Sequence, residues 1–114
     1  CFAQMKPNIA LYVGGMGAKG KNFHNEMIAG YGYRELTDQI QDLYLAGRKA
    51  EATELVPDEL CDELSLCGPE ARIRERYRAW EDAGVTTMIV ASRQPEALRL
   101  MAEITGAPRA VAAL

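Results

Sequence analysis

The run Val85 to Ser92, VTTMIVAS, constrains this chain more than any other stretch. It is β-branched and apolar, it is bounded by Gly84 and Pro95, and it reads as one buried strand over 85–91. A buried strand carries backbone donors and acceptors along both edges, and each one left unsatisfied costs about 1–3 kcal/mol. A strand of this kind needs neighbours. A continuous apolar run is usual in parallel sheets covered on both faces, so a second strand formed by the N-terminal segment would not be enough. The missing strands are expected upstream of Cys1, where the chain reads as if cut from a longer one.

The remainder of the sequence is patterned for helices. From Lys6 to Met16 the residues Ile9, Leu11, Tyr12, Val13 and Met16 allow either a short strand or one face of a helix, with Pro7 suited to a first helical turn. Phe23, Met27 and Ile28 recur at helical spacing until Gly30 and Gly32 interrupt them, and Leu36, Ile40, Leu43 and Tyr44 resume the pattern up to a stop at Gly47. Residues 48–56 read as a short helix, and Pro57 starts another through Leu64. In GPEARIRERYRAWEDAG, Pro69 suits a first helical position, Ile73, Tyr77 and Trp80 fall at i, i+4, i+7, and Gly84 closes the run. That apolar stripe predicts packing onto a sheet. A last helix follows from Pro95 to about Thr105.

Composition decides which functions to set aside. With 48% hydrophobic and 25% charged residues the chain sits near the globular average, so neither disorder nor a membrane protein is expected. Its net charge of −3 leaves no surplus of Lys and Arg to neutralise a phosphate backbone or an anionic lipid surface, so nucleic acid and membrane are not expected partners. Cys1, Cys61 and Cys67 have no CxxC spacing, and His24 alone cannot complete a zinc site, so no metal is expected. Reduced thiols in a cytoplasmic protein fit this usage.

The stretch IALYVGGMGAKGKNFHNEM carries Gly15-x-Gly17-x-x-Gly20, the outline of a dinucleotide turn. Such a fingerprint needs a βαβ unit and an acidic residue about 20 positions on, at the end of a second strand. Glu35 and Asp38 stand near that distance but inside a helical pattern with Leu36 and Ile40, and no second strand follows. The glycines are read instead as ending one helix and turning into the next, where positive φ or close packing excludes a Cβ. In RIRERYR, basic and acidic residues interleave as on a solvated helix face. His24 has no partner at an interpretable distance, and no catalytic residue is assigned from the sequence.

The blocks ALYVGGMGAKGKNF, IQDLYLAGRKAEA, VPDEL and GPEARIRERYRAWEDAGV, in this order, resemble the C-terminal part of the luciferase-like monooxygenase superfamily, in its deazaflavin-dependent oxidoreductase branch. The resemblance implies an α/β fold, the C-terminal fragment of a (β/α)8 TIM barrel, predominantly helical with one parallel-type strand. It implies that residues 1–83 form a helical excursion after the seventh strand, 84–94 the eighth strand and its loop, and 95–114 the final helix and tail. A full-length parent would transfer a hydride between an 8-hydroxy-5-deazaflavin coenzyme (F-420), or alternatively flavin mononucleotide, and a small organic substrate. The cofactor supplies the hydride chemistry and the protein its orientation.

Barrel chemistry gathers at the C-terminal ends of strands. Ser92 and Arg93, just after the expected eighth strand, are therefore candidate pocket residues beside a turn leading into the next helix. Gly15, Gly17, Lys19 and Asn22 are candidates for a loop at the barrel rim that offers amides and charge to an anionic substrate or cofactor tail. The isolated chain is expected neither to bind the cofactor nor to catalyse. The competing expectation is an inert helical remnant or interaction module, and uncovered strand edges would make either form self-associate. For NAD, calorimetric titration of the chain is expected to give no measurable heat of binding. A micromolar constant that Gly17→Val abolishes would restore the dinucleotide reading.

Overall fold

The computed structural model describes residues 1–107, and these divide into two compact units, Cys1–Cys67 and a second beginning at Gly68. The first unit is entirely helical. Helix α1 spans Phe2–Ala10 and continues as a π-helical turn, Leu11–Gly15. The choice left open for the N-terminal segment is thus decided for helix, and Pro7 lies inside α1 on an exposed side rather than in its first turn. Helix α2, Phe23–Ile28, likewise passes into a π-helical segment, Ala29–Tyr33, which kinks at Gly32 before α3, Arg34–Leu45. Short helices α4, Lys49–Glu54, and α5, Asp58–Glu63, complete the unit.

Apolar spacing decides what this unit buries. Ile40 of α3, Ile9, Ala10 and Val13 of α1 and its extension, Ile28 of α2, Ala52 of α4, Val56, and Leu60 and Cys61 of α5 form one cluster. Leu36, Leu43 and Tyr44 pack against it, so the stripe read at i, i+4, i+7, i+8 is the inner face of α3. The stop at Gly47 is a Schellman closure. Gly47 takes φ +81°, its amide donates to the Tyr44 carbonyl at 3.0 Å, and the Arg48 amide donates to Leu43 at 2.9 Å. Lys6 Nζ meets Asp58 Oδ1 at 2.6 Å and ties α1 to α5 at the surface.

Cys1, Cys61 and Cys67 form no disulfide; Cys1 is exposed, whereas Cys61 and Cys67 are buried. Burial pushes the Cys61 thiol above its usual 9.0. The neutral thiol therefore favours the fold at low and neutral pH, and that contribution fades as pH rises from the unfolded value through the raised folded one.

The second unit departs from the sequence reading. Helix α6 runs Glu70–Asp82 with Pro69 as its N-cap rather than its first helical residue, so it starts one residue later than expected, and Gly84 closes it at φ +81° with the Val85 amide on the Trp80 carbonyl at 3.2 Å. Yet α6 buries no residue, and Trp80 is 36% exposed. Residues 85–91, expected to form a strand, carry no regular secondary structure, and Ile89 is 92% exposed. The reason is the one that made the run so constraining. A strand exists only as half of a ladder, and among the described residues there is no other strand to complete it. Helix α7, Pro95–Ile104, starts with Pro95 in its first turn as expected, and Arg74 of α6 bridges Glu70 and Glu103 of α7 at 2.7 and 2.6 Å. The expected tail extends beyond the described residues from 108 onward. No helix among the described residues is long and apolar enough to cross a membrane.

The two units differ in what a truncation should cost. Ile40→Ala, at a fully buried position, is expected to destabilise the chain by about 2–5 kcal/mol in chemical denaturation. Ile89→Ala is expected to change stability by no more than about 0.5 kcal/mol, and equal losses at both sites would contradict the exposure described.

Candidate functional site

The glycine loop of residues 16–22 joins the π-turn of α1 to α2, and its geometry begins with the helix end before it. A helix leaves its last carbonyls without amide partners. Here the carboxamide of Asn22 supplies them: its Nδ2 donates to the Tyr12 carbonyl at 3.0 Å and to the Val13 carbonyl at 2.9 Å. The same side chain caps α2, its Oδ1 accepting from the Asn25 amide at 3.1 Å. Asn25 adds a second layer, with Nδ2 donating to Val13 at 3.2 Å and to the Thr37 carbonyl at 3.0 Å. Gln41 of α3 reaches the loop itself and donates to the Gly17 carbonyl at 3.2 Å. Asn22, Asn25, Thr37 and Gln41 are all buried, and no buried side-chain polar atom among the described residues lacks a partner.

The glycines fit the same construction. A Cβ on Gly14 would lie 2.5 Å from the Tyr44 Cβ, and one on Gly15 would lie 2.5 Å from the Tyr44 ring. A Cβ on Gly17 would meet the Lys21 carbonyl oxygen at 2.7 Å. These positions exclude side chains because protein already fills the space. The Lys49 ammonium stands 5.4 Å from the centre of the Tyr44 ring, a cation–π distance. Lys19 is exposed and paired with Asp42, whose carboxylate holds its ammonium above the usual lysine range. His24 sits edge-on between Tyr12, at 4.7 Å between ring centres, and Phe23, at 5.7 Å.

Of the residues picked from the sequence, Gly17, Lys19 and Asn22 are thus gathered on one loop in the first unit, and Gly15 ends the π-turn just before it. Ser92 and Arg93 belong to the second. There the Ser92 hydroxyl accepts from the Gln94 amide at 3.1 Å, closing the turn that leads into α7, and Arg93 is exposed. Asn25, Thr37 and Gln41 went unnoticed in the sequence. Two signals were available: Asn22-x-x-Asn25 has N-cap spacing, and Thr37 and Gln41 put polar groups one turn apart beside the apolar stripe of α3.

The order of these blocks can be set against known proteins. The luciferase-like monooxygenase family matches residues 3–87, three quarters of the chain. The chain belongs to the luciferase-like monooxygenase family. A protein of Mycobacterium tuberculosis, named provisionally as a coenzyme F420-dependent oxidoreductase, is 42% identical over 103 residues, which are 90% of this chain. This luciferase-like chain spans only 30% of that relative's length. No solved structure matches it.

The Mycobacterium relative is named for coenzyme F420, and the glycine loop of this chain makes no cradle for a flavin-type ring system. The free side of Gly17 is filled by backbone, both Asn22 N–H groups are engaged, and Lys19 is ion-paired. A shallow, open depression lined by Gly32, Tyr33, Glu35, Leu36 and Gln39 does not enclose a tricyclic ring. No cluster of three or more His, Cys, Asp or Glu among the described residues could hold a metal ion. What the loop of this luciferase-like chain does chemically is to present a rigid turn with charge at its surface.

Substitutions should separate frame from surface. Asn22→Ala takes the side-chain donor from the Tyr12 carbonyl, leaves the Val13 carbonyl to Asn25 alone and removes a cap, and is expected to cost about 2–4 kcal/mol in thermal or chemical unfolding. Lys19→Ala breaks only an exposed pair and should stay within about 1 kcal/mol of the parent chain.

Proposed function

We propose that this chain is part of an oxidoreductase that moves a hydride between a reduced deazaflavin coenzyme and a small organic substrate, with flavin mononucleotide the alternative cofactor. The observation that carries the reading is 42% identity over 103 residues to a relative named as F420-dependent, within a family match over most of the chain. In this reading residues 1–83 are a helical excursion that follows the seventh strand of a (β/α)8 barrel, 84–94 are its eighth strand and following loop, and 95–114 are its final helix and tail. Support for that arrangement comes from the second unit. Val85, Ile89, Val90 and Leu98 are large apolar residues left exposed, as expected of a strand and helix whose neighbours belong to a longer polypeptide.

The coenzyme's ring is then held mostly by residues outside this chain. In the first unit Lys19 offers positive charge to an anionic substrate or cofactor tail, beside the amides near Gly15 and Gly17 and on a loop fixed by Asn22; in the second, Arg93 offers it separately beside Ser92. An inert helical module is the second reading, and a chimera separates the two. In it, these residues replace the matching 103-residue stretch of the Mycobacterium tuberculosis relative. Where the relative itself oxidises the reduced coenzyme, the chimera is expected to do so within about tenfold of its rate, about 1.4 kcal/mol of barrier. Lys19→Ala in the chimera is expected to weaken coenzyme or substrate binding by about tenfold, the weight of one charge-assisted contact. A folded chimera that leaves the coenzyme unbound would overturn the oxidoreductase reading.

A further inference from the structure

The glycine loop is filled at one end and open at the other. A Cβ on Gly14, Gly15 or Gly17 would strike protein, whereas one on Gly20 would meet nothing within 4 Å. Beside that open space the Lys21 amide donates to the Ala18 carbonyl at 2.9 Å and Gly20 takes φ +73°. Residues 18–21 thus close a turn with Lys19 at its corner and glycine where positive φ is needed. The loop is held on both sides of this corner, by Gln41 at the Gly17 carbonyl and by the Asn22 carboxamide. Lys19 therefore stands on a fixed turn next to open space.

Its ammonium is occupied by a carboxylate from α3. Asp42 pairs with Lys19, both side chains being more than half exposed, and Asp38, one turn earlier, adds to the field that keeps the ammonium charged. Asp42 lies in the last turn of α3, where the helix dipole disfavours a negative charge and no basic residue of that turn balances it. The helix gains nothing from Asp42, and an exposed pair of this kind is worth little and exchanges readily. The Asp42 carboxylate makes the contact that an anionic ligand would make, and it does so from a tether. A ligand with one carboxylate gains nothing by replacing it and meets the added repulsion of Asp38. A group with two or more negative charges does gain, because Lys21 ends the same turn, exposed and in no ion pair with a described residue.

We infer that Asp42 is a built-in counter-ion that stands in for the ligand on Lys19 and reserves this turn for groups carrying two or more negative charges. The inference rests on the reading that the loop receives an anionic substrate or cofactor tail, but its first test needs no coenzyme. The 114-residue chain is titrated with inorganic pyrophosphate by calorimetry at low ionic strength, where exposed charges are least screened. Asp42→Asn is expected to bind pyrophosphate about threefold to fivefold more tightly than the parent chain and to melt at the same temperature. Lys19→Ala is expected to weaken binding and, in the double variant, to abolish the gain, which separates local release from the loss of one negative charge overall. Acetate at equal concentration is expected to shift the Lys19 Nζ resonance in Asp42→Asn and not in the parent chain. The inference is overturned by pyrophosphate that binds neither form, by an affinity that Asp42→Asn leaves unchanged or lowers, by a gain that persists with Lys19→Ala, or by acetate displacing Asp42 from the parent chain. In the chimera, Asp42→Asn is expected to tighten coenzyme binding by a similar factor. A chimera that binds coenzyme no tighter for the substitution sinks this inference alone. One that binds none, with or without it, counts against the oxidoreductase reading, and the pyrophosphate titration still decides the role of Asp42.

Discussion

The first unit is organised around one side chain that works in two directions. The Asn22 carboxamide donates backward to the last carbonyls of the α1 π-turn and accepts forward from the Asn25 amide that opens α2. Without it, the part-buried Tyr12 carbonyl and one helix start would lose a side-chain partner, and the buried Val13 carbonyl would keep only Asn25. Because the group is rigid and planar, it fixes the distance between the two helix ends as well as satisfying them. Gln41 then holds the intervening loop from α3, and Tyr44 lies over Gly14 and Gly15, so α1, the loop and α3 constrain one another. Fully paired polar groups in a low-dielectric setting specify one arrangement more strictly than apolar packing does. A surface loop rich in glycine is thereby given the definition of a core element.

The second unit obeys the opposite condition. Its helices are well formed and their ends well closed, yet α6 has no buried residue and the apolar run after it has no ladder. Local signals suffice for caps, since a Schellman closure needs only its own few residues. They do not suffice for a strand, whose hydrogen bonds belong to another stretch of chain. The family match and the 30% coverage of the Mycobacterium relative together explain why such a stretch would be expected elsewhere in a longer polypeptide.

This contrast also sets what could be read from residues alone. The α3 stripe, the stops at Gly47 and Gly84 and the start at Pro95 were legible because each is decided within a turn or two of helix. The glycine loop was legible as a packed turn, since its dinucleotide outline lacked the flanking strands. The polar cluster was not, because the partners of Asn22 and Asn25 lie up to 12 residues away and only folding brings them together. The run at 85–91 was over-read for a related reason. Its composition reports a preference for a sheet, and composition carries no information on whether the sheet is there.

The π-helical turn after α1 has a consequence for how this unit tolerates change in length. A π-turn amounts to an α-helix with one residue inserted, and a residue in an α-helix subtends about 100° of rotation. The segment at Leu11–Gly15 therefore acts as a phase correction along the chain, whereas Ala29–Tyr33 is broken at Gly32, φ +101°, and joins two helices across a kink. Removing one residue from the first would restore ordinary helix but swing Val13 off the cluster and turn the carbonyls of Tyr12 and Val13 away from Asn22. Single-residue deletions are often harmless in surface loops. Here they would act like a change of thread on a screw, leaving each helix sound while rotating its neighbours out of mesh.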